Sequence, residues 1–566
     1  MLRRRSSSVW RPTGAKALVV ILVAAFTTRL LPLSISQYPF NNDSLMECVL
    51  ASSILDSRYL GVSTGALWYS THGGATPAMN VVLAFISSVL GTTPLQCAQV
   101  LVSVLSVLTV GCVFLLGRQV SGGLRGGIAS SFAAILMGTF AFVTGSAWKE
   151  MMGIALLVLL LVAYLHRDHM KFRVLMFALL MLMPLVHHLV ALVALLLVAY
   201  LLCWSWVFAF ANGLPKRRHL EDLAITGASI VWAVSYYSVI SFDRISLVSS
   251  PLKLVIFGAS FILVSVVAIM VLTMRTHSKR TYAPFVGGGL IVLVSLDYFG
   301  FFFPYTPSAP YAYFFLVAST GFLLALAWYG TEVIVERRPL FRAVQIALIV
   351  SPLSILGYGV ASGFSPVSFQ IVYRTFDFVD IFIFLGIGTA FVWLYEHRRK
   401  SYTAIGYLTV AFLLVSFPFA YASESLLGVR HDTQAYEVDS LRWLSEHSNS
   451  PVVQSDERLG HIAESTVGIE KHSGLPGALI RNITVLTIPA GDICLVEDSW
   501  STEGVNNFPY GEVVLPASNY TWALEAGNVL YIGGPPTDRV IMYTLSSVGI
   551  GIVYDPTNDL QRIFID

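Results

Sequence analysis

The chain has 566 residues, of which 55% are hydrophobic and 12% charged, against roughly 25% charged in ordinary soluble domains. Such a composition suits lipid as the main solvent, and a formal net charge of +2 with no basic stripe gives nucleic acid nothing to follow. The five cysteines show no CxxC spacing, so neither a zinc site nor a disulfide framework is indicated.

The N-terminus reads MLRRRSSSVWRPTGAK and runs into an apolar stretch without a small-residue cleavage site. This predicts a retained first span with its basic end in the cytoplasm. Residues 35–96 then form a first outer loop. Its polar part holds Asp43 and Glu47, four residues apart, and a His72-Gly-Gly-x-x-Pro77 turn. Residues 78–91 are apolar but short and predict a helix at the membrane interface.

A span needs about 20 apolar residues. Candidates are 17–34, 97–117, 127–145, 151–165, 174–186, 189–211, 222–241, 252–274, 284–303, 311–330, 343–362, 378–396 and 403–421. Alternate connections are basic: RQVSGGLR, HRDHMKFR, NGLPKRRH, RTHSKR, VERRPLFR and EHRRK. All fall on the side of the MLRRR terminus, as the positive-inside rule requires. The expectation is a mainly α polytopic membrane protein of about thirteen spans, with residues 1–422 as the membrane domain.

After Ala422 the composition becomes charged, with short alternating runs such as NITVLTI and GIGIVYD. Residues 423–566 are enough for one domain, read as α+β and extracytoplasmic, opening with a helix over 434–447. Sequons at Asn42, Asn482 and Asn519 are all on the expected outer side.

Polar groups at the outer ends of the spans are Arg29, Asp43, Glu47, His72, Lys149, Glu150, His187, His188, Arg374, Asp377 and Asp380. They come from many segments yet converge on one membrane face, and ionisable residues beside spans usually face a cavity or a partner. Asp43, in NNDSLMEC, is either a helix N-cap or a general base or cation ligand. Glu47 lies one helical turn on. Lys149 and Glu150 read as a local ion pair, or as a lipid-phosphate contact and an acceptor-orienting acid. An adjacent pair cannot face one way on a helix, so His187 and His188 argue against a two-histidine metal site, and one of them lines a cavity. His72 is a turn residue or a ligand. Arg374 either grips phosphate bidentately or snorkels to the headgroups. Walker, Rossmann, HExxH and GxSxG motifs are absent.

In this arrangement the chain resembles the GT-C superfamily of polyprenyl-phosphate-dependent glycosyltransferases, which includes oligosaccharyltransferases and protein O-mannosyltransferases. The resemblance is carried by the span ending TTRLLPL, the acid in NNDS, the helix TPAMNVVLAFISSVLG, then GSAWKE, MPLVHHLV and YRTFDFVD, and the terminal outer domain. It implies a sugar donor on a polyprenyl (dolichyl-type) phosphate. It further implies Asp43 as base or ligand of a divalent cation such as Mg or Mn, with Glu47 beside it. Arg374 and Lys149 would hold the donor phosphate, and Glu150, His72, His187, His188 and Asp377 would line the acceptor cavity. The WWDYG motif of oligosaccharyltransferases is missing; VEDSWSTEG does not match it. A monosaccharide transfer to a lipid-linked glycan or surface glycoprotein therefore fits better than whole-glycan transfer. The competing classes are a transporter or flippase of a lipid-linked substrate, which would place its polar groups near the midplane, and a non-catalytic membrane scaffold.

Overall fold

The computed structural model describes residues 12–57, 76–211, 217–239, 251–273, 282–298, 311–334, 339–361, 374–421, 431–447 and 452–472. It also describes the strands at 493–497, 505–506, 512–513, 542–546, 549–554 and 563–565. The fold is mainly helical.

The first helix is α1 (Pro12–Leu30), and the next two are α2 (Asn42–Ser57) and α3 (Ala78–Leu90). They are followed by α4 (Pro94–Ser121), α5 (Leu124–Leu136), α6 (Gly138–Gly145), α7 (Lys149–Leu165), α8 (Met170–Val186) and α9 (His188–Ala211). The middle of the chain supplies α10 (Arg217–Val239), α11 (Pro251–Thr273), α12 (Ala283–Tyr298), α13 (Tyr311–Ile334) and α14 (Pro339–Ala361). The last two helices of the apolar part are α15 (Phe376–His397) and α16 (Arg399–Phe419). Within the described residues the expected apolar segments are helical, as hydrocarbon demands of a backbone that must satisfy itself. Among the described residues six helices are long and apolar enough to cross a membrane, or seven if the bent pair α5–α6 counts as one span. That is fewer than the thirteen expected: α12 is too short, and α10 begins with Arg217, Arg218 and His219 and carries Glu221 and Asp222.

Local chemistry sets the helix limits. Thr93 and Gln96 form a reciprocal capping box at the start of α4, Pro94 follows at its first position, and Gly122 ends it at φ +81°. The break between α5 and α6, a 67° bend, has no proline. It is held by Arg29, whose Nη1 and Nη2 donate to the carbonyls of Ile135 and Ala134 at 2.9 and 3.0 Å. Its Nε donates to Thr144 Oγ1 across the bend. These carbonyls belong to the last turn of α5, where intrahelical partners run out. Arg29, fully buried, is therefore a clamp on the fold rather than a group facing substrate.

α15 runs through the middle of the helical domain on small residues. A Cβ at Gly330 of α13 would lie 1.9 Å from the Gly386 carbonyl oxygen, and one at Gly388 would lie 2.2 Å from Ser130 Oγ of α5. Close backbone approach of this kind is how helices associate in lipid. Ser130 Oγ adds a 2.8 Å hydrogen bond to the Phe384 carbonyl. The packing aims the N-terminal end of α15, with Arg374 before it, at α2 and α7.

The C-terminal part contains α17 (Ala435–His447) and α18 (Glu457–Val467). Its six-stranded sheet has the order β2-β1-β3-β6-β7-β8, with β1 (Val452–Gln454), β2 (Glu470–His472), β3 (Ile493–Glu497), β6 (Met542–Ser546), β7 (Gly549–Tyr554) and β8 (Ile563–Ile565). A separate antiparallel pair is β4 (Val505–Asn506) and β5 (Glu512–Val513). Strands β2, β1, β3 and β6 are parallel, and β7 and β8 continue antiparallel. The β1–α18–β2 unit makes this an α/β arrangement with an antiparallel edge, where α+β was expected. Short strands hide such crossovers in a sequence, because periodicity says nothing of which strand lies beside which. The sequons at Asn482 and Asn519 lie outside the described residues.

α2 joins the two parts. Leu45 and Tyr38 belong to a core with Val438, Leu441, Leu459 and Ile462 of the C-terminal part. Cys48 and Ala51, on another face of the same helix, pack with Met79, Leu83 and Ala98 of the helical domain. Ser36 Oγ donates to the Thr433 carbonyl, and the Asn41 N–H donates to the His431 carbonyl at 2.9 Å. Inside the C-terminal part Arg458 and Glu437 form a buried 2.7 Å ion pair, and Asp456 caps α18 through the Leu459 N–H.

Candidate active site

The start of α2 decides what Asp43 can do. Asn41 holds φ +79°, a left-handed conformation that Asn tolerates better than most residues. From there its Oδ1 accepts the Asp43 N–H at 3.1 Å, the bond an N-cap makes. Asn41, not Asp43, is the cap, and the Asp43 carboxylate is left to face outward with its side chain half exposed (50%). Ser44 pins the helix to the chain before α7: its Oγ donates to the Phe40 carbonyl and accepts the Ala147 N–H at 2.7 Å.

Arg374 lies across from Asp43, with Nη2 3.9 Å from Asp43 Oδ2 and its own side chain 31% exposed. The guanidinium carbon is 6.0 Å from the centre of the Trp148 ring, the outer limit for a cation–π contact. Trp148 is itself fixed by donating Nε1–H to the Val143 carbonyl. The base candidate and the phosphate-binding candidate thus come from segments more than 300 residues apart and meet at one accessible spot.

Beneath them lies a buried layer. Glu47 and Lys149 form an ion pair at 3.5 Å. The Asn80 amide donates to a Glu47 carboxylate oxygen and, at 3.2 Å, to the Glu47 carbonyl. Burial pushes the Glu47 carboxyl above its ordinary range, against the opposing pull of Lys149 and Asn80. Two expectations change here. Lys149 pairs with Glu47 of another helix rather than with its neighbour Glu150, and it is buried rather than open to a lipid phosphate. Glu47, four residues from Asp43, faces the interior and not the accessible surface.

Glu150 is also buried, and its carboxylate oxygens accept no hydrogen bond among the described residues. It interacts electrostatically with Arg374 and Asp43, and Asp377 with Glu150, Asp380 and Arg374. Asp380 accepts a hydrogen bond from Thr139 Oγ1 of α6 at 3.1 Å. Lys471 of β2 interacts with Asp43 from the C-terminal part. One arginine therefore sits among several carboxylates at the meeting point of α2, α7, α15 and β2.

His187 and His188 lie where α8 ends and α9 begins. His187 is extended (φ −161°, ψ 127°), so the pair escapes helical geometry and the rings stack at 4.7 Å. This corrects the expectation of opposed rings. His187 Nδ1 accepts the Val190 N–H at 3.4 Å, which makes it the cap of α9 and not an open cavity group. His72 lies outside the described residues.

A cation would need a shared donor set. Among the described residues no three His, Cys, Asp or Glu side chains are placed to hold a metal. Asp43 faces a guanidinium, and Glu47 is occupied by Lys149 and Asn80. The described residues do not fit the divalent cation expected at Asp43.

Several contributors escaped the sequence reading: Asn41 as cap, Asn80 under Glu47, Thr139 on Asp380, Trp148 beside Arg374 and Lys471 beyond Asp43. Asn80 carried the clearest signal, a lone amide within the apolar run AMNVVLAF.

No protein-family model matches the chain, and no curated relative does. Solved structures are similar. The oligosaccharyltransferase of Archaeoglobus fulgidus in its apo form matches over 83% of this chain with a TM-score of 0.52 at 13% identity, and the chain spans 66% of that protein's length. ArnT from Cupriavidus metallidurans in the apo state matches over 94% of this chain and 93% of its own, with a TM-score of 0.39 at 11% identity. The same protein bound to undecaprenyl phosphate gives 0.41 at 12% identity, over 94% of each chain. At 13% identity the likeness to the Archaeoglobus fulgidus oligosaccharyltransferase is one of fold, and the chain shares that fold.

Proposed function

We propose that the protein is an integral membrane glycosyltransferase. It moves a single sugar from a polyprenyl-phosphate donor to a hydroxyl of a lipid-linked glycan or surface glycoprotein, at the membrane face opposite the basic loops. The fold supports the reaction class. The observation that carries the site is Asp43, a carboxylate relieved of helix capping by Asn41 and left accessible 3.9 Å from Arg374.

In this reading Arg374 grips the donor phosphate, for which a guanidinium fork is matched. Asp43 takes the proton of the acceptor hydroxyl as that oxygen bonds to the anomeric carbon from the side opposite the phosphate. The bond from that carbon to the phosphate oxygen breaks, and its electron pair leaves with the polyprenyl phosphate. Arg374 meets the charge that develops there, so the sugar is inverted once. Glu47, Lys149 and Asn80 do not touch substrate; they hold α2 against α7 and so set the Asp43–Arg374 separation. Glu150 and Asp377 shape the acceptor side. No step runs through a metal.

The test is transfer of labelled sugar from a panel of polyprenyl-phosphate donors by purified protein in lipid, comparing wild type with Asp43→Asn. Loss of the base should lower the rate by roughly 10²–10⁴-fold with unchanged thermal stability. Transfer unaffected by the substitution would sink the assignment of Asp43, and absence of transfer across the panel would favour the transporter or scaffold classes.

A further inference from the structure

The helical domain carries a second polar feature at the other end of α15. That helix is 22 residues long, about 33 Å at 1.5 Å per residue, so its two ends lie near opposite membrane faces. At its C-terminal end the chain turns at Arg398 directly into α16. There α12, α13, α15 and α16 surround a cleft of about 530 Å³, within the range of roughly 300–1,000 Å³ usual for small-molecule sites. Phe322, Leu326, Tyr329 and Ile405 give it apolar walls, and its polar lining is Arg398 and Ser401, both exposed.

Cations outnumber acids around the cleft, whose α12 edge also meets Glu332 through the Tyr282 N–H. Arg125 is exposed, with its guanidinium 3.6 Å above the Tyr395 ring centre, and Arg399 approaches the same ring at 5.4 Å. Lys400 follows, also exposed, and Glu396 is the acid of the EHRRK segment. An apolar slot between helices that ends in an arginine and a hydroxyl, rimmed by further cations, matches a ligand with hydrocarbon at one end and more than one negative oxygen at the other. Basic pockets between spans on the cytoplasmic side suit anionic headgroups for this reason.

We propose that this cleft is a binding site for an anionic glycerophospholipid of the leaflet on the basic-loop side. Its acyl chain lies against Phe322, Leu326, Tyr329 and Ile405. Its phosphate accepts hydrogen bonds from the Arg398 guanidinium and the Ser401 hydroxyl, and Arg125, Arg399 and Lys400 favour headgroups with net negative charge. The site lies a full helix length from Asp43 and Arg374, so the lipid is a structural ligand and not the sugar donor.

The test uses the purified full chain, delipidated in detergent, titrated with phosphatidylglycerol or phosphatidylcholine, with retained lipid counted by native mass spectrometry. Wild type should retain phosphatidylglycerol at lower lipid concentration than phosphatidylcholine. Arg398→Ala removes the phosphate contact that both lipids share and should weaken retention of each by roughly ten-fold, the lower end of the effect of a charged hydrogen bond, whereas Arg399→Ala should weaken phosphatidylglycerol retention and affect phosphatidylcholine little. Ile405→Trp, which fills the cleft, should weaken both; Ala325→Leu fills it from α13 if the first variant melts early. Equal retention of the two lipids by wild type, or unchanged phosphatidylglycerol retention in either class of variant, overturns the proposal.

Discussion

Replacing Lys149 by Met separates two roles for that residue, a buried support and a donor-phosphate contact. Lys149 and Glu47 are 3.5 Å apart with side chains 9% and 8% exposed. Removing one member of a buried pair costs about 3–5 kcal/mol, because the remaining charge stays behind unpaired. Two features reduce the figure here. The Asn80 amide still donates to Glu47, and burial already raises the Glu47 pKa, so the carboxyl can take up a proton. A loss of about 2–3 kcal/mol is expected, at or just below the low end of that range. Changing Glu47 to Gln at the same time removes the charge and keeps an acceptor for Asn80, so the double variant should recover most of the loss. The coupling between the two positions should therefore reach about 2 kcal/mol. Denaturant titration in mixed micelles measures it, and labelled-sugar transfer is followed in parallel. Equal destabilisation of single and double variants would refute the pairing argument. A double variant as stable as wild type but with a raised donor KM would show that Lys149 acts on the donor after all.

His431 gives a pH dependence. Burial, and then the Arg458 charge, push its pKa down from 6.5 to about 3, and neither ring nitrogen has a hydrogen-bond partner among the described residues. The unfolded chain takes up a proton near pH 6.5 while the folded one does not, so the stability is complete above that pH and is lost as pH falls toward 3. The loss is about 1.4 kcal/mol per pH unit, or about 2 kcal/mol between pH 6.5 and 5. His431→Phe should flatten that part of a stability–pH profile, and an unchanged profile would refute the assignment. Asn41→Gly should cost only a few tenths of a kcal/mol, since Gly adopts positive φ freely. Asn41→Ala should cost about 2 kcal/mol, for the lost cap and the strained backbone together; equal melting temperatures would remove Asn41 from its capping role.

The helical segments were legible because hydrocarbon leaves the backbone no alternative, and apolar runs announce themselves one by one. What a sequence does not carry is the partner of a polar group. Lys149 has an acid beside it in the chain, yet its charge is met by Glu47, 102 residues away. NND offers three good capping residues in a row, and the choice among them depends on how the chain enters α2, with the Asn41 N–H already committed to His431. The bend after Leu136 has no proline to mark it, only Gly138, and the side chain that holds it, Arg29, lies on another helix. Arg374 and Asp43 could be listed as outer-end residues, but their meeting depends on the small-residue packing that seats α15.

The two-sided packing of α2 has a consequence for biogenesis. Leu45 emerges early, but the residues that bury it, among them Leu441 and Leu459, follow about 400 residues later. At about 5–20 residues per second that face of α2 waits roughly 20–80 s for its cover during synthesis. Asp43 sits on the same helix, so the accessible acid acquires its final setting only after most of the polypeptide has been made. A partly synthesised chain would present a greasy loop to the quality-control machinery before its candidate site is assembled.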